Sequence, residues 1–415
     1  MPISRKTWPR CFAHVDMMSF FASIEQMDFP EYAGMPLVVT NGETGTTIIT
    51  SSYEARAYGI KTGTKIYDAL KVCPHLIRRP TRVHRYVEIS QAIMKSLENI
   101  TPDIEIYSID EAWLDLSGVL GLHESIESLA QFIRETVFHA SHGLPCSIGI
   151  SEGKLTAKYC GELRKGGTTI VPANCIAHVI GQAKVEHICG IGPNITGYLN
   201  GLGIVYCKDL KSRPMSILSQ RFGNIGKRLY LTCLGHDPEP LNKEPDIQKS
   251  MGHGKVLPPR CNDLELISAN LHFQVERLMA RMRKHHLSAK LFFVGFKTKQ
   301  GWLGDRIAFS KPIQNATLLW QQITPLLERC TGHIIRQVQV TALELFDANI
   351  EQLDLFDTSS ESDDKLKKVD QIRDHIQQKF GSTSLTQASL MKTTEKSIAV
   401  IAPAWRRSGV GQCIN

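Results

Sequence analysis

His14-Val15-Asp16-Met17-Met18-Ser19-Phe20-Phe21-Ala22-Ser23-Ile24-Glu25 and Tyr107-Ser108-Ile109-Asp110-Glu111-Ala112-Trp113-Leu114-Asp115-Leu116 are the two stretches whose reading decides the fold. Cys11 to Val15 is a short apolar run ending in Asp16, and the Phe20–Ile24 pattern after it is helical, which predicts a strand and then a helix. Ile104 to Leu116 alternates like two strands separated by Ile109-Asp110-Glu111. Neighbours on a straight strand point to opposite faces. A turn at Asp110 relaxes that alternation, so Asp110 and Glu111 are expected to point together toward a carboxylate on an adjacent strand. Three converging carboxylates repel unless cations lie between them, and hard oxygen ligands select Mg²⁺. Two such ions ~3.5–4 Å apart serve in-line phosphoryl or nucleotidyl transfer. The same acids taken alone would be a polar hairpin tip and a helix N-cap.

Outward from these stretches, Leu37–Thr40 and Gly45–Ser51 read as strands joined by the turn-forming pair Asn41-Gly42. Val87–Ile100 and Ser125–His139 read as helices and Cys146–Ile150 as a buried strand. From about 174 to 242, short helices are punctuated by Gly190, Gly192, Gly201, Gly203, Gly223 and Gly226. The Asp237-Pro238-Glu239-Pro240 and Glu244-Pro245 stretch reads as a linker. Lys249 to Leu345 then carries 14 Lys/Arg against 6 Asp/Glu, a surplus of +8 that exceeds the +7 of the whole chain. A basic, mixed α/β domain is expected there. Asp347 to Asp364 has seven acidic residues and no basic one, the composition of a solvated tether. Lys365–Phe380 looks like a short amphipathic helix.

The 415 residues, 42% hydrophobic, suffice for several cores, and two to four domains are expected. No apolar run approaches the ~18 residues of a membrane span. The first residues carry Arg5, Lys6 and Arg10 without an apolar segment, so the expected compartment is the cytoplasm. Eleven Cys are scattered without zinc spacing and read as small buried hydrophobes.

The two opening stretches resemble the metal-binding motifs of the Y-family translesion DNA polymerases, and within that family the chain looks closest to the bacterial polymerase IV type. By that resemblance Asp16, Asp110 and Glu111 bind two Mg²⁺ and Met17 lends its backbone carbonyl. Met18 stands where the family usually has a second Asp. Phe21 matches the steric gate, an aromatic ring that collides with a ribose 2′-OH. Ser51-Ser52-Tyr53-Glu54-Ala55-Arg56-Ala57-Tyr58-Gly59-Ile60 resembles the motif whose Tyr53 and Arg56 would hold the incoming triphosphate, a task suited to the planar Arg fork. Cys146–Gly167 resembles a strand and helix that in the family end in Lys-Pro-x-Gly. Here the ending is Lys165-Gly166-Gly167, one residue shorter and without Pro, with Lys165 the best match for a triphosphate contact and Arg164 able to take its place.

Ile188–Pro193 with Tyr198–Ile204 resembles a helix-hairpin-helix, in which Gly190 and Gly192 would let the backbone approach a DNA phosphate. Gln352-Leu353-Asp354-Leu355-Phe356 matches the pentapeptide that docks bacterial polymerases on the β sliding clamp, with Gln352, Leu353, Leu355 and Phe356 as the pocket-filling residues. The resemblance implies an α/β multidomain, right-hand architecture. Its parts are a catalytic palm (1–19 and 82–172), fingers (20–81), a helical thumb (173–242), a linker (243–248), a little finger (249–346) and a C-terminal tail (347–415). It further implies a monomer that takes dNTPs and primer–template DNA, with no stretch of these residues left for a proofreading exonuclease. Two alternatives stay open: a UmuC-like subunit that needs an accessory protein, and a non-catalytic, clamp-bound scaffold.

Overall fold

In the computed structural model the run ending at Asp16 becomes β1 (Phe12–Met17), and α1 (Phe20–Asp28) follows after a sharp break at Ser19, whose φ is 46°. The structure describes residues 8–42, 45–243, 249–349, 360–381 and 384–385. They form two compact units, residues 8–243 and residues 249–385.

In the first unit, β2 (Leu37–Thr40), β3 (Ile48–Ser51) and β4 (Ile77–Pro80), with α2 (Tyr53–Ala57) and α3 (Ile66–Val72) between the last two, make a small sheet ordered β3-β2-β4. β3 starts later than the alternation from Gly45 suggests, because Thr47 is drawn into a bridge with Lys65 instead. All four residues of β2 are buried. Leu37 and Val39 enter the main core, whereas Val38 packs into a separate cluster with Ile48, Ala55, Ile60, Ala69, Cys73 and Leu76.

There follow α4 (Val83–Glu98), β5 (Ile104–Ile106), β6 (Glu111–Asp115), α5 (Ile126–Ala140), β7 (Cys146–Ser151), α6 (Lys154–Leu163) and β8 (Thr168–Ile170). The main sheet is ordered β5-β6-β1-β7-β8, with β1 antiparallel to both neighbours, so Asp16 lies opposite Glu111 on one side and Ser147 on the other. Ala13, Val15, Ala112, Leu114, Ile148 and Ile150 share a core with the apolar stripes of α4 and α5. Each full-sized side chain so buried contributes about 1.5–3 kcal/mol. Phe20, Phe21, Ala22 and Ile24 of α1, which the sequence assigns to the fingers, belong to this same core. On the other face α6 lies directly on β7. A Cβ on Gly149 would come within 2.0 Å of the Ala157 carbonyl oxygen and 2.3 Å of the Gly161 nitrogen, so only glycine permits that approach. Beyond it, α7 (Ala173–Gly181), α8 (Pro193–Gly201) and α9 (Ser216–Cys233) close around Ile176, Ile180, Leu199, Leu218 and Leu229.

The second unit contains β9 (Ser250–Cys261), α10 (Leu264–Lys284), β10 (Leu287–Lys297), β11 (Trp302–Ile313), α11 (Ala316–Ile323), β12 (Ile335–Asp347) and α12 (Ser360–Phe380). Its sheet is ordered β11-β10-β12-β9 and wholly antiparallel. Phe292, Val294, Phe296, Val338 and Val340 pack against α10 and α11, and Gln337, Gln339 and Thr341 alternate to the opposite face, linked by side-chain hydrogen bonds. α12 begins at Ser360, so the last five residues of the expected tether are helical. Its Asp370 and Asp374 pair with Arg283, and Arg373 pairs with Glu276. The Gln352–Phe356 pentapeptide lies outside the described residues. The described cysteines are all free; eight are buried, Cys189 is half-buried, and Cys175 is exposed rather than buried as expected. Among the described residues no helix is long and apolar enough to cross a membrane.

Candidate active site

Asp16, Met17, Met18, Phe21, Tyr53, Arg56, Asp110 and Lys165 line one cavity of about 290 Å³ at the end of β1. The carboxylates get there by different local routes. Asp16 is fixed by strand pairing on both sides of β1. Asp110 precedes β6 in a bend, where the Met17 N–H donates to its carbonyl (3.0 Å) and the Ser108 hydroxyl donates to its carboxylate (2.5 Å). Burial pushes both carboxyls above the usual carboxylate range, and the negative charge of Asp110 adds to the effect on Asp16. Lys165 Nζ lies 3.5 Å from Asp16 Oδ2 and 2.5 Å from Glu162 Oε1.

Glu111 does not line this cavity, though its charge bears on both Asp16 and Asp110. Paired directly opposite Asp16, it lies on the same sheet face as Asp16 and His14, and its carboxylate is engaged along that face by His14, whose Nε2 lies 2.6 Å from Glu111 Oε1. Lys158 Nζ donates to the same oxygen and stacks over Tyr107 and Trp113. Burial raises the Glu111 pKa, but the hydrogen bond and charge of His14 and the charge of Lys158 outweigh it and hold the carboxyl below its ordinary value. Among the described residues, no three His, Cys, Asp or Glu side chains stand together as a metal cage. Two acids do converge, and their charges disfavour one another unless a cation lies between them, so the oxygen donors of Asp16 and Asp110 fit a hard divalent ion.

The opposite wall belongs to α2. Ser52 caps it, its hydroxyl accepting from the Ala55 N–H (3.3 Å), and this sets the turn on which Tyr53 and Arg56 stand three residues apart. The Arg56 guanidinium lies 4.8 Å from the Tyr53 ring centroid, and its Nε donates to the Ser51 carbonyl. Phe21 rests on Tyr86, whose hydroxyl donates to the fully buried Glu25 (2.7 Å). Gly190 adopts a left-handed φ of 94°, and Gly192 immediately precedes the first residue of α8. Both belong to the helical part of the first unit and are absent from the cavity lining.

Sequence reasoning gave no role to His14, Lys158, Ser108 or Tyr86. Two of them carried a signal: His14 shares a strand face with Asp16 by simple alternation, and Lys158 follows Lys154 at helical spacing toward the same sheet. Tyr86 had none, since its partners lie 61 and 65 positions upstream.

The impB/mucB/samB family model matches residues 15–162, and the model of that family's C-terminal domain matches residues 248–355. A DNA polymerase IV of Desulfatibacillum aliphaticivorans is 30% identical over 92% of this chain and 97% of its own length. That of Moorella thermoacetica is 30% identical over 90% and 94%, and one of Legionella pneumophila is 35% identical over 69% and 83%. A solved Y-family DNA polymerase chimera, Dbh-Dpo4(243-245)-Dbh, matches 80% of this chain and 98% of its own with a TM-score of 0.70 at 25% identity. With both halves matched by one family and relatives alike along nearly their full length, the chain belongs to the Y-family of DNA polymerases, in the polymerase IV branch.

Proposed function

We propose that the chain performs Mg²⁺-dependent, template-directed translesion synthesis on primer–template DNA, adding dNMP units to a primer 3′-OH without proofreading. The observation that carries this is the convergence of Asp16, Asp110, Phe21, Tyr53, Arg56 and Lys165 on one cavity. Asp16 and Asp110, with the Met17 carbonyl, would hold two Mg²⁺, and Glu111 would join them by exchanging its His14 and Lys158 partners. Bound there, the ions would supply Lewis-acid chemistry, favouring ionisation of the primer hydroxyl and stabilising the charge that leaves with pyrophosphate. Arg56 and Lys165 neutralise and orient the triphosphate, Tyr53 supports the Arg56 fork, and Phe21 closes the sugar site to a 2′-OH.

The remaining assignments follow the same reading. Residues 1–19 and 82–172 serve as palm, 20–81 as fingers and 173–242 as thumb, where Gly190 and Gly192 meet the DNA backbone. Residues 249–346 serve as little finger, whose surplus of positive charge makes DNA binding fall steeply with salt. Gln352, Leu353, Leu355 and Phe356 dock on a β sliding clamp, and the enzyme works as a cytoplasmic monomer. The test is primer extension with Mg²⁺ and four dNTPs on undamaged and lesion-bearing templates, beside Asp110→Ala. Extension by the wild type alone supports a self-sufficient polymerase. Extension only after an accessory protein is added points to the partner-dependent alternative, and none under either condition to the scaffold. Retention on immobilised clamp, lost in a Leu355→Ala/Phe356→Ala double variant, tests the docking peptide.

A further inference from the structure

Met18 and the short Lys165-Gly166-Gly167 ending, the two places where the chain departs from the family pattern, touch each other. The ending is a hydrogen-bonded turn in which the Gly167 N–H donates to the Arg164 carbonyl (3.0 Å) and Gly166 takes a φ of 72°. That left-handed third position is one that glycine fills without strain. It is also where the Met18 side chain lies: a Cβ on Gly166 would sit 2.7 Å from Met18 Sδ and 3.4 Å from its Cε. Met18 is itself anchored at both ends of its peptide. Its N–H donates to the Pro145 carbonyl (3.0 Å), and its carbonyl accepts from the Ser23 hydroxyl (2.7 Å). The far side of the turn is held as well. Ser147 Oγ accepts from the Gly166 N–H (2.9 Å), and Arg134 donates to the carbonyls of Gly166 (3.2 Å) and Cys146 (3.0 Å) and to the Thr168 hydroxyl (2.8 Å).

Lys165 is therefore presented by a turn clamped between the Arg134–Ser147 pair and the Met18 thioether. We infer that Met18 is a positioning residue for Lys165, the apolar floor on which its turn is seated, and that it acts on the incoming nucleotide only through that lysine. An unbranched, polarizable side chain suits a floor pressed against bare backbone. It also leaves the ammonium to Asp16 and Glu162, where a carboxylate at position 18 would add a competing acid. The inference rests on Lys165 as a triphosphate contact.

The experiment is a double-mutant cycle of Met18→Ala and Lys165→Ala, read as dNTP KM and kcat in primer extension and as equilibrium dNTP binding to the primer–template complex by calorimetry. In the wild-type background Met18→Ala should raise KM by roughly 3- to 10-fold with kcat held within about twofold, and Met18→Leu should restore it. In the Lys165→Ala background the same change should have no further effect. An equal rise in both backgrounds, or no rise in the wild type, overturns the inference. Met18→Ser replaces Met18→Ala if the latter fails to fold. A wild type that extends primers while the cycle shows no coupling leaves the polymerase reading standing and removes only this one. If the wild type does not extend primers, the calorimetric arm still decides between coupling and its absence.

Discussion

The Phe21 ring lies flat on the Tyr86 ring, with centroids 4.4 Å apart and planes inclined by 13°. The stack holds the proposed sugar gate from below, and the Tyr86 hydroxyl is in turn tied to Glu25. Phe21→Ala should reduce discrimination between dNTPs and rNTPs by at least about tenfold, because the ring is the group a 2′-OH would strike. Tyr86→Ala should move discrimination the same way by less, and Tyr86→Phe should leave it near wild type. Single-nucleotide insertion kinetics with paired dNTP and rNTP substrates read all three.

Glu25 is a carboxylate with no exposed surface that accepts from Arg79 Nε (3.1 Å), Arg82 Nε (2.7 Å) and Tyr86. Glu25→Ala would strand two partly buried guanidinium groups, of which only Arg82 has a second acid, Asp28. A loss of about 3 kcal/mol in unfolding free energy is expected, seen as a lower denaturant midpoint at unchanged slope. A midpoint within error of the wild type would refute the claim that this network sustains the unit.

Asp110 should cost the cation-free protein stability. Burial, with the Glu111 charge adding to it, raises its folded-state pKa above that of the unfolded chain, so the folded protein holds the proton more tightly. Stability therefore declines as pH rises from the ordinary carboxylate value through the raised one, and the cost is complete above it. Asp110→Asn should melt higher than the wild type at neutral pH in a chelator, while losing primer extension. Mg²⁺ should narrow that gap by raising only the wild-type Tm. A variant that melts lower in chelator contradicts the electrostatic account.

Gly149→Ala should be among the most disruptive single-methyl changes available to the first unit. The new Cβ has backbone rather than a flexible side chain in its way, so α6 must lift from β7. A destabilisation of about 3 kcal/mol or more, with a sharp fall in soluble yield, is expected. Lys158 and Lys165, both held by α6 and its following turn, should lose their places together.

Much of the fold could be read from period alone. β1, β2, β7, α4 and α5 stand within a few residues of where alternation and helical spacing put them. Asp16 and Asp110 were legible because one ends a strand and the other occupies a turn. The partners of Glu111 were not: its pairing opposite Asp16 puts both on one sheet face, but the hold of His14 and Lys158 on its carboxylate spans 97 and 47 positions and leaves no local pattern. The Arg134 contacts to Gly166 and Thr168 span 32 and 34 positions and leave no local pattern. The Gln337, Gln339 and Thr341 ladder follows plain alternation in β12, but its side chains are neutral and leave no mark in a balance of charges.

β2 has four residues, and they look two ways: Leu37 and Val39 toward the carboxylate-bearing sheet, Val38 toward the cluster beneath α2. The wing that carries Tyr53 and Arg56 and the floor that carries Asp16 are thus keyed to one another through one short ribbon acting as an axle, beside the Glu25–Arg79 and Gln26–Glu54 ties. Trimming Val38 or Val39 would loosen the grip of one half on the other without altering a residue that lines the cavity.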